Sequence, residues 1–327
     1  MVAGGDLVMD GSYPDLFAGY IAYKRAAGYA MARNWQYPAR GLSRFLASKP
    51  PAPEVLTSDY VNEFCERRGD EAASTQNHRM STCRQFALYL QTLGYDSYVR
   101  PDQLTLRGTA FVPRIITEEE MARVIAAADA MPAQPNAPTA HKVFPVLVRI
   151  LWSCGLRLGE ALSLTAGDVD LANGVLTIRN AKGGKSRIVP ISSSLRGCLE
   201  RYWLEMGLCA AAPGAGVFPS RRRDRYWRSY AAYRIKGFMA EAGVLAQGGR
   251  TPRVHDIRHS FAVAALAKMD ADGVDLYCAL PLLTAYMGHS DIKSTEYYLR
   301  FTESAMEAVL SKMEGPYSDL FPEVEDA

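Results

Sequence analysis

The sequence predicts a mainly α-helical protein with one small three-stranded antiparallel sheet. Three observations carry this. Apolar residues recur at three and four positions through most of the chain, the period of helices that bury one face. One region, residues 169–190, instead carries short β-branched runs punctuated by Asn173-Gly174 and Lys182-Gly183-Gly184-Lys185, the turn chemistry of antiparallel hairpins. The 327 residues exceed one ordinary domain, for which roughly 100–200 residues is the norm, so two domains are expected.

Residues 12–96 read as four short helices, a small bundle. Leu16, Tyr20, Ile21 and Tyr23 open the first amphipathic segment. A second runs from about Ala32 to Leu46, with Tyr37, Leu42, Phe45 and Leu46 apolar. Three prolines in the stretch from Ser48 to Asp59 break it. Thr57 or Ser58 can cap a third helix through Val61, Phe64 and Cys65. Ser74 is expected to cap the fourth, Gln76 to about Thr92, whose stripe is Met80, Cys83, Phe86, Ala87 and Leu90. Residues 97–115 look like a linker, taken as 106–115 in the domain division. The second unit opens at Thr117-Glu118-Glu119-Glu120, a cap followed by acidic first-turn residues. Strands are expected at 169–171, 174–178 and 186–190, and helical patterns resume after them. The working division is 1–105, 106–115, 116–302 and 303–327.

Composition excludes several classes. Hydrophobic residues are 48% and charged residues 22%, ordinary for a globular protein and unlike a disordered or collagenous chain. The most apolar stretch, Val143 to Trp152, is interrupted by Pro145 and Arg149, and a membrane span needs about 18 such residues. Asp6 and Asp10 in a terminus without a basic region give no secretory signal, so a cytoplasmic protein is expected. The six cysteines form no Cys-x-x-Cys pair and read as reduced, mostly buried thiols. Residues 303–327 hold seven acidic residues against Lys312 alone. The whole chain carries +2, so the remaining 302 residues carry +8, a basic body with an acidic tail.

Four separated pieces hold the chemistry. In Cys154-Gly155-Leu156-Arg157-Leu158-Gly159-Glu160, Arg157 and Glu160 share a helix face. Lys182 and Lys185 flank a tight glycine turn. In His255-Asp256-Ile257-Arg258-His259, His255 and Arg258 again lie three apart. In Met287-Gly288-His289, a histidine precedes Tyr297-Tyr298. Each piece alone has a bland reading: a surface ion pair, a solvated hairpin tip, a structural histidine, one of 18 tyrosines.

Taken in chain order, Arg, Lys, His-x-x-Arg, His, Tyr, this set resembles the tyrosine recombinase (phage integrase) family over about residues 114–302. The helical N-terminal unit is similar to that family's core-binding domain, and the second unit to its α+β catalytic domain. The resemblance implies a site-specific DNA recombinase. Tyr298 would be the nucleophile, forming a 3′-phosphotyrosyl link and freeing a 5′-hydroxyl. Arg157 and Arg258 would grip the phosphate as forked donors, with a further hydrogen bond from His289. His255 would accept the tyrosine proton. Lys182 would protonate the departing 5′-oxygen, and Glu160 would orient the site. Family spacing favours Tyr298 over Tyr297, and Lys182 over Lys185. His259 reads as structural. No metal or cofactor is implied, since no carboxylate cluster or Cys/His ligand spacing is present.

The same resemblance implies double-stranded DNA carrying a specific site as partner, clamped by two domains. It also implies a homotetramer, or a hetero-assembly with sister recombinases. Arg221, Arg222, Arg223, Arg225, Arg228 and Lys236, interleaved with Tyr226, Trp227 and Tyr230, are the candidate phosphate contacts; Arg33, Arg40 and Arg44 are weaker ones. The helical segment 304–313 reads as core or as a segment docked on a neighbouring protomer. Integration, excision or transposition of a mobile element is the favoured role. Resolution of chromosome or plasmid dimers, a decayed DNA-binding protein and a type IB topoisomerase are the rivals. The connection from Ala271 to Pro281 looks long for a compact dimer resolvase.

Overall fold

The computed structural model describes residues 14–29, 33–49, 56–101, 112–179, 186–221 and 223–288, together with Thr295 and Tyr298. Contacts divide the chain into two units, 1–111 and 112–327.

The first unit holds α1 (Pro14–Ala26), α2 (Arg33–Ala47), α3 (Ser58–Cys65) and α4 (Ala73–Thr92). Their apolar stripes meet in one cluster that includes Phe17, Leu42, Phe64, Phe86 and Leu90, with the Phe17 and Phe86 rings stacked 4.0 Å apart. Thr57 caps α3: its Oγ1 accepts from the Tyr60 amide at 3.3 Å. The expected cap of α4 is displaced. Ser74 lies inside the first turn, because the backbone is already extended at Ala72. The buried Gln76 amide then donates to the Cys65 carbonyl at 3.0 Å and ties the start of α4 to the end of α3. Residues 97–101 do not behave as linker. The Tyr98 amide donates to the Leu56 carbonyl at 2.8 Å, and Val99 packs on the cluster. Tyr23, expected in the stripe, is half exposed.

The second unit is built round α6 (Ala140–Cys154). Apolar residues fall on most of its faces, and Val143, Phe144, Leu147, Val148, Ile150 and Leu151 are all buried. A helix apolar all round belongs inside, and α6 touches α5 (Glu118–Asp129), α7 (Leu158–Leu162), α8 (Ser193–Met206), α9 (Arg228–Glu241) and α10 (Val254–Ala271). Thr117 and Glu120 form a full capping box on α5. The strands β1 (Val169–Asp170), β2 (Val175–Ile178) and β3 (Arg187–Pro190) pair in sequence order, both pairs antiparallel, with Leu176 opposite Val189. They are shorter than expected, since Leu171 and Gly174 belong to the turn, where Gly174 has φ +65°.

The seemingly long connection after Arg258 is largely helix. It comprises the end of α10, residues 272–275 and the start of α11 (Leu276–Met287). Asp275 caps α11 by accepting from the Tyr277 amide at 2.7 Å. A second cluster in this unit joins Ala262, Val263 and Leu266 of α10 to Leu280, Leu283 and Met287 of α11, with Tyr298 among them. Of the cysteines, Cys65, Cys83 and Cys154 are buried, while Cys209 and Cys278 are exposed, fewer buried than expected. No helix among the described residues is long and apolar enough to cross a membrane. The segment 304–313 and the acidic tail lie outside the described residues.

Candidate active site

Two helix C-termini frame the site. The last carbonyls of an α-helix have no partner within the helix and carry the negative end of its dipole. α6 ends on Gly155 at φ +57°. Any other residue is strained there, since its Cβ would run into the Phe261 ring. α11 ends on Gly288 at φ +67°. Arginines collect at both ends. Arg258 donates from Nη1 to the Gly155 carbonyl at 2.7 Å and from Nη2 to the Met287 carbonyl at 2.6 Å. Arg157 donates to the Gly288 carbonyl at 3.3 Å, and Arg187 Nε to the Tyr286 carbonyl at 2.7 Å.

One carboxylate sits among the three guanidinium groups. Glu160 accepts from Arg157 Nη1 at 2.7 Å and from Arg187 Nη2 at 2.9 Å, and lies 3.9 Å from Arg258 Nη1. It also accepts the Arg157 backbone amide at 3.0 Å, which caps α7. Burial would raise the Glu160 carboxyl, but the hydrogen bonds and charge of Arg187 and Arg157 outweigh it and hold it down to about 2. Burial, and then the charge of Arg157, lowers Arg258 to about 10, so it stays charged at neutral pH. Its side chain is 1% exposed, against 23% for Arg157.

The predicted nucleophile is close by. Tyr298 is buried, 2% exposed, and its hydroxyl lies 2.8 Å from His259 Nδ1. The His259 ring in turn meets the His255 ring edge-to-face, centroids 4.7 Å apart. Both imidazoles are lowered to about 4, chiefly by burial. The positive charges of Arg253 and Arg258 add to this for both, and His259 and Arg157 for His255. Both are therefore neutral at neutral pH.

The structure thus brings together Arg157, Glu160, His255, Arg258 and Tyr298. Lys182, with Lys185, and His289, with Tyr297, lie outside the described residues. Sequence reasoning missed two members. Arg187 was legible in principle: it shares the face of β3 with buried Val189, and a strand alternates its faces, so it had to point inward. His259 stands four residues after His255, hence on the same side of α10, and was read as structural.

Among the described residues no group of three or more His, Cys, Asp or Glu could hold a metal ion. The basic segment divides. Arg221, Arg223, Arg225, Arg228 and Lys236 are exposed. Arg223 stacks on the exposed Trp227 ring at 4.1 Å beside a cleft of about 510 Å³ lined by Gln134, Asn136, Arg221 and Tyr230. Tyr226 instead turns into the core and meets Thr139 at 3.2 Å. Arg222 lies outside the described residues. In the first unit Arg40 and Arg44 are exposed on one side of α2. Arg33 begins that helix, and its side chain is not among those described.

A buried tyrosine hydroxyl on a neutral imidazole, next to fixed guanidinium groups, can attack a phosphodiester and stabilise the charge that develops. The fold and this site define a DNA strand-breaking and strand-joining enzyme with a tyrosine nucleophile. Residues 114–304 match the phage integrase family, and the chain belongs to that family, the tyrosine site-specific recombinases. It is 29% identical over 291 residues to the putative integrase/recombinase y4rE of Sinorhizobium fredii, covering 86% of this chain and 89% of that one. It is 30% identical over 251 residues to the tyrosine recombinase XerD of Ralstonia nicotianae, covering 75% and 74%. Its fold is similar to that of the XerH site-specific recombinase in a post-cleavage complex with its difH substrate. The TM-score there is 0.64 at 17% identity, over 86% of this chain and 79% of that one.

Proposed function

We propose that this recombinase cuts DNA through Tyr298, leaving a 3′-phosphotyrosyl link and a free 5′-hydroxyl, and works on the ends of a mobile element. The observation that carries the reading is the 2.8 Å approach of the Tyr298 hydroxyl to a histidine of the helix that also bears buried Arg258. Arg157 and Arg258 take the non-bridging phosphate oxygens through the N–H groups that their carbonyl contacts leave over, with His289 as a further donor. His255 serves proton transfer, Lys182 protonates the leaving 5′-oxygen, and Glu160 and Arg187 hold the two phosphate-binding arginines in place. The covalent link keeps the phosphodiester energy, so a second strand's 5′-hydroxyl can reverse the step without ATP.

Double-stranded DNA is the partner. Arg221, Arg223, Arg225, Arg228 and Lys236, with Arg40 and Arg44 in the first unit, give affinity that falls with salt. A tetramer on two sites completes the exchange. The similarity to y4rE over nearly its whole length, a protein named as a putative integrase/recombinase, fits a mobile-element role.

The test is a nicked duplex carrying the element's end sequence, which traps the covalent intermediate. Wild type and Tyr297→Phe should give a protein–DNA adduct on a denaturing gel, and Tyr298→Phe none. Adduct lost only in Tyr297→Phe would move the nucleophile by one residue. No adduct from wild type on DNA it binds would sink the reading.

A further inference from the structure

The residue touching the nucleophile's reacting atom is His259, not the motif histidine His255. Nδ1 of His259 lies 2.8 Å from the Tyr298 oxygen, and the rings stand 5.6 Å apart, tilted by 56°. Among the described contacts, none joins His255 to Tyr298; its ring meets the far partner of that pair, His259. Their positions on α10 explain the order. Arg258, His259 and Phe261 face inward, Phe261 stacking on Tyr286 of α11, while His255 sits one turn earlier and opens to solvent. The polar neighbours of the His259 imidazole are Tyr298 from the C-terminal segment and Arg253, His255 and Arg258 from its own helix. No described carboxylate is among them, and none of these neighbours holds a proton on Nδ1, so the neutral ring can present that nitrogen bare.

We infer that His259 is the first acceptor of the Tyr298 proton and a catalytic residue of the cleavage step, with His255 acting behind it. The inference rests on the reading of Tyr298 as nucleophile. In the step the Tyr298 O–H bond breaks and the proton passes to His259 Nδ1. The phenolate oxygen forms the new bond to phosphorus, the bond from phosphorus to the 5′-oxygen breaks, and that oxygen takes a proton from Lys182. In rejoining, the 5′-hydroxyl forms its bond to phosphorus and gives its proton to Lys182, the bond from phosphorus to the Tyr298 oxygen breaks, and the leaving phenolate takes a proton back from His259. His255, whose ring meets that of His259 and which is the more open of the two, then carries the proton toward solvent. That gives the motif histidine its role without contact to the nucleophile.

The test is single-turnover cleavage of the nicked duplex by the full chain across neutral and alkaline pH. Wild type, His259→Ala, His259→Gln, His255→Gln and Tyr298→Phe are compared. General-base removal typically costs about 10²-fold or more. His259→Ala should lose that much at neutral pH and regain it as the pH approaches the ordinary tyrosine range, about 10. His259→Gln keeps bulk and a hydrogen bond but cannot take the proton, and should stay slow. A second readout does not need activity. The chain has five histidines, so nitrogen-15 histidine NMR can be assigned by substitution, and Tyr298→Phe should shift the His259 Nδ1 resonance more than any other. Wild-type rate and pH slope in His259→Ala would overturn the proposal, as would full rescue by His259→Gln, which would mean positioning alone. Either result with an adduct still lost in Tyr298→Phe leaves the recombinase reading standing. No adduct from wild type removes both.

Discussion

Glu160 carries more of this site than any other single side chain. It is almost wholly buried, and it balances Arg187, Arg157 and, at longer range, Arg258. Removing one partner of a buried ionic group costs about 3–5 kcal/mol, because the remaining charges are left without compensation. Glu160→Gln preserves shape but leaves three guanidinium groups facing one another. Its urea midpoint should fall by that equivalent, and adduct formation should fall with it even where the protein is fully folded. Acid should act on the same centre in two stages. The two histidines are held at about 4 when folded, against 6.5 when unfolded. The unfolded chain therefore binds more protons in that window, and stability is lost as the pH drops through it. Glu160, held at about 2 against an ordinary 4.5, contributes stability that is complete above about 4.5 and disappears as the pH falls through 2. Urea midpoints measured across the upper window should fall in wild type and much less in a His255→Gln, His259→Gln double variant. An unchanged slope in the double variant would exclude the histidines as its source.

At the scale of elements, the site is a meeting of helix ends, and the two cap glycines decide whether it forms. Gly155 has two constraints, a left-handed backbone and the Phe261 ring against its α-carbon. Gly207, which ends α8 at φ +66°, has open space where a Cβ would go. A left-handed non-glycine residue costs roughly 1–2 kcal/mol, and forcing atoms into a packed site costs typically 1–3 more. Gly207→Ala should therefore lose about 1 kcal/mol and Gly155→Ala about 3, and only the second should impair cleavage, since the Gly155 carbonyl holds Arg258. Equal losses in the two variants would show that backbone strain alone matters. These elements also mark how far the sequence could be read. Helices with a clear stripe and a capping box, such as α5, were legible because their signals are local. So was Gly155 as a break. That its carbonyl would hold an arginine 103 residues on was not, because a contact of that range leaves no periodic trace. Ser74 misled for a related reason. It has cap chemistry, but the turn into α4 is set by a hydrogen bond from Gln76 to the end of α3.

At the scale of the whole molecule, the chain divides its work. The described members of the site, with Arg187 and His259, lie in 112–327, which has its own apolar clusters round α6 and between α10 and α11. The unit 1–111 has a separate core and contributes no described side chain to that site. Its exposed Arg40 and Arg44 belong in the proposed reading to grip on the duplex. A protein that neutralises Z phosphates loses affinity with salt at a log–log slope of about −0.9Z. Two consequences follow for a fragment spanning 112–327. With an intact core it should fold, unfolding cooperatively in urea. With part of the cationic surface gone, it should bind the nicked duplex more weakly and with a shallower salt dependence than the full chain. Chemistry should survive this loss: at saturating fragment and low salt, the adduct should form at close to the full-chain rate and still vanish in Tyr298→Phe. A folded fragment that binds as tightly as the full chain, with an unchanged salt slope, would remove unit 1–111 from the DNA contact. A fragment that saturates its DNA yet cleaves orders of magnitude more slowly would give that unit a part in assembling the active site, beyond holding the substrate.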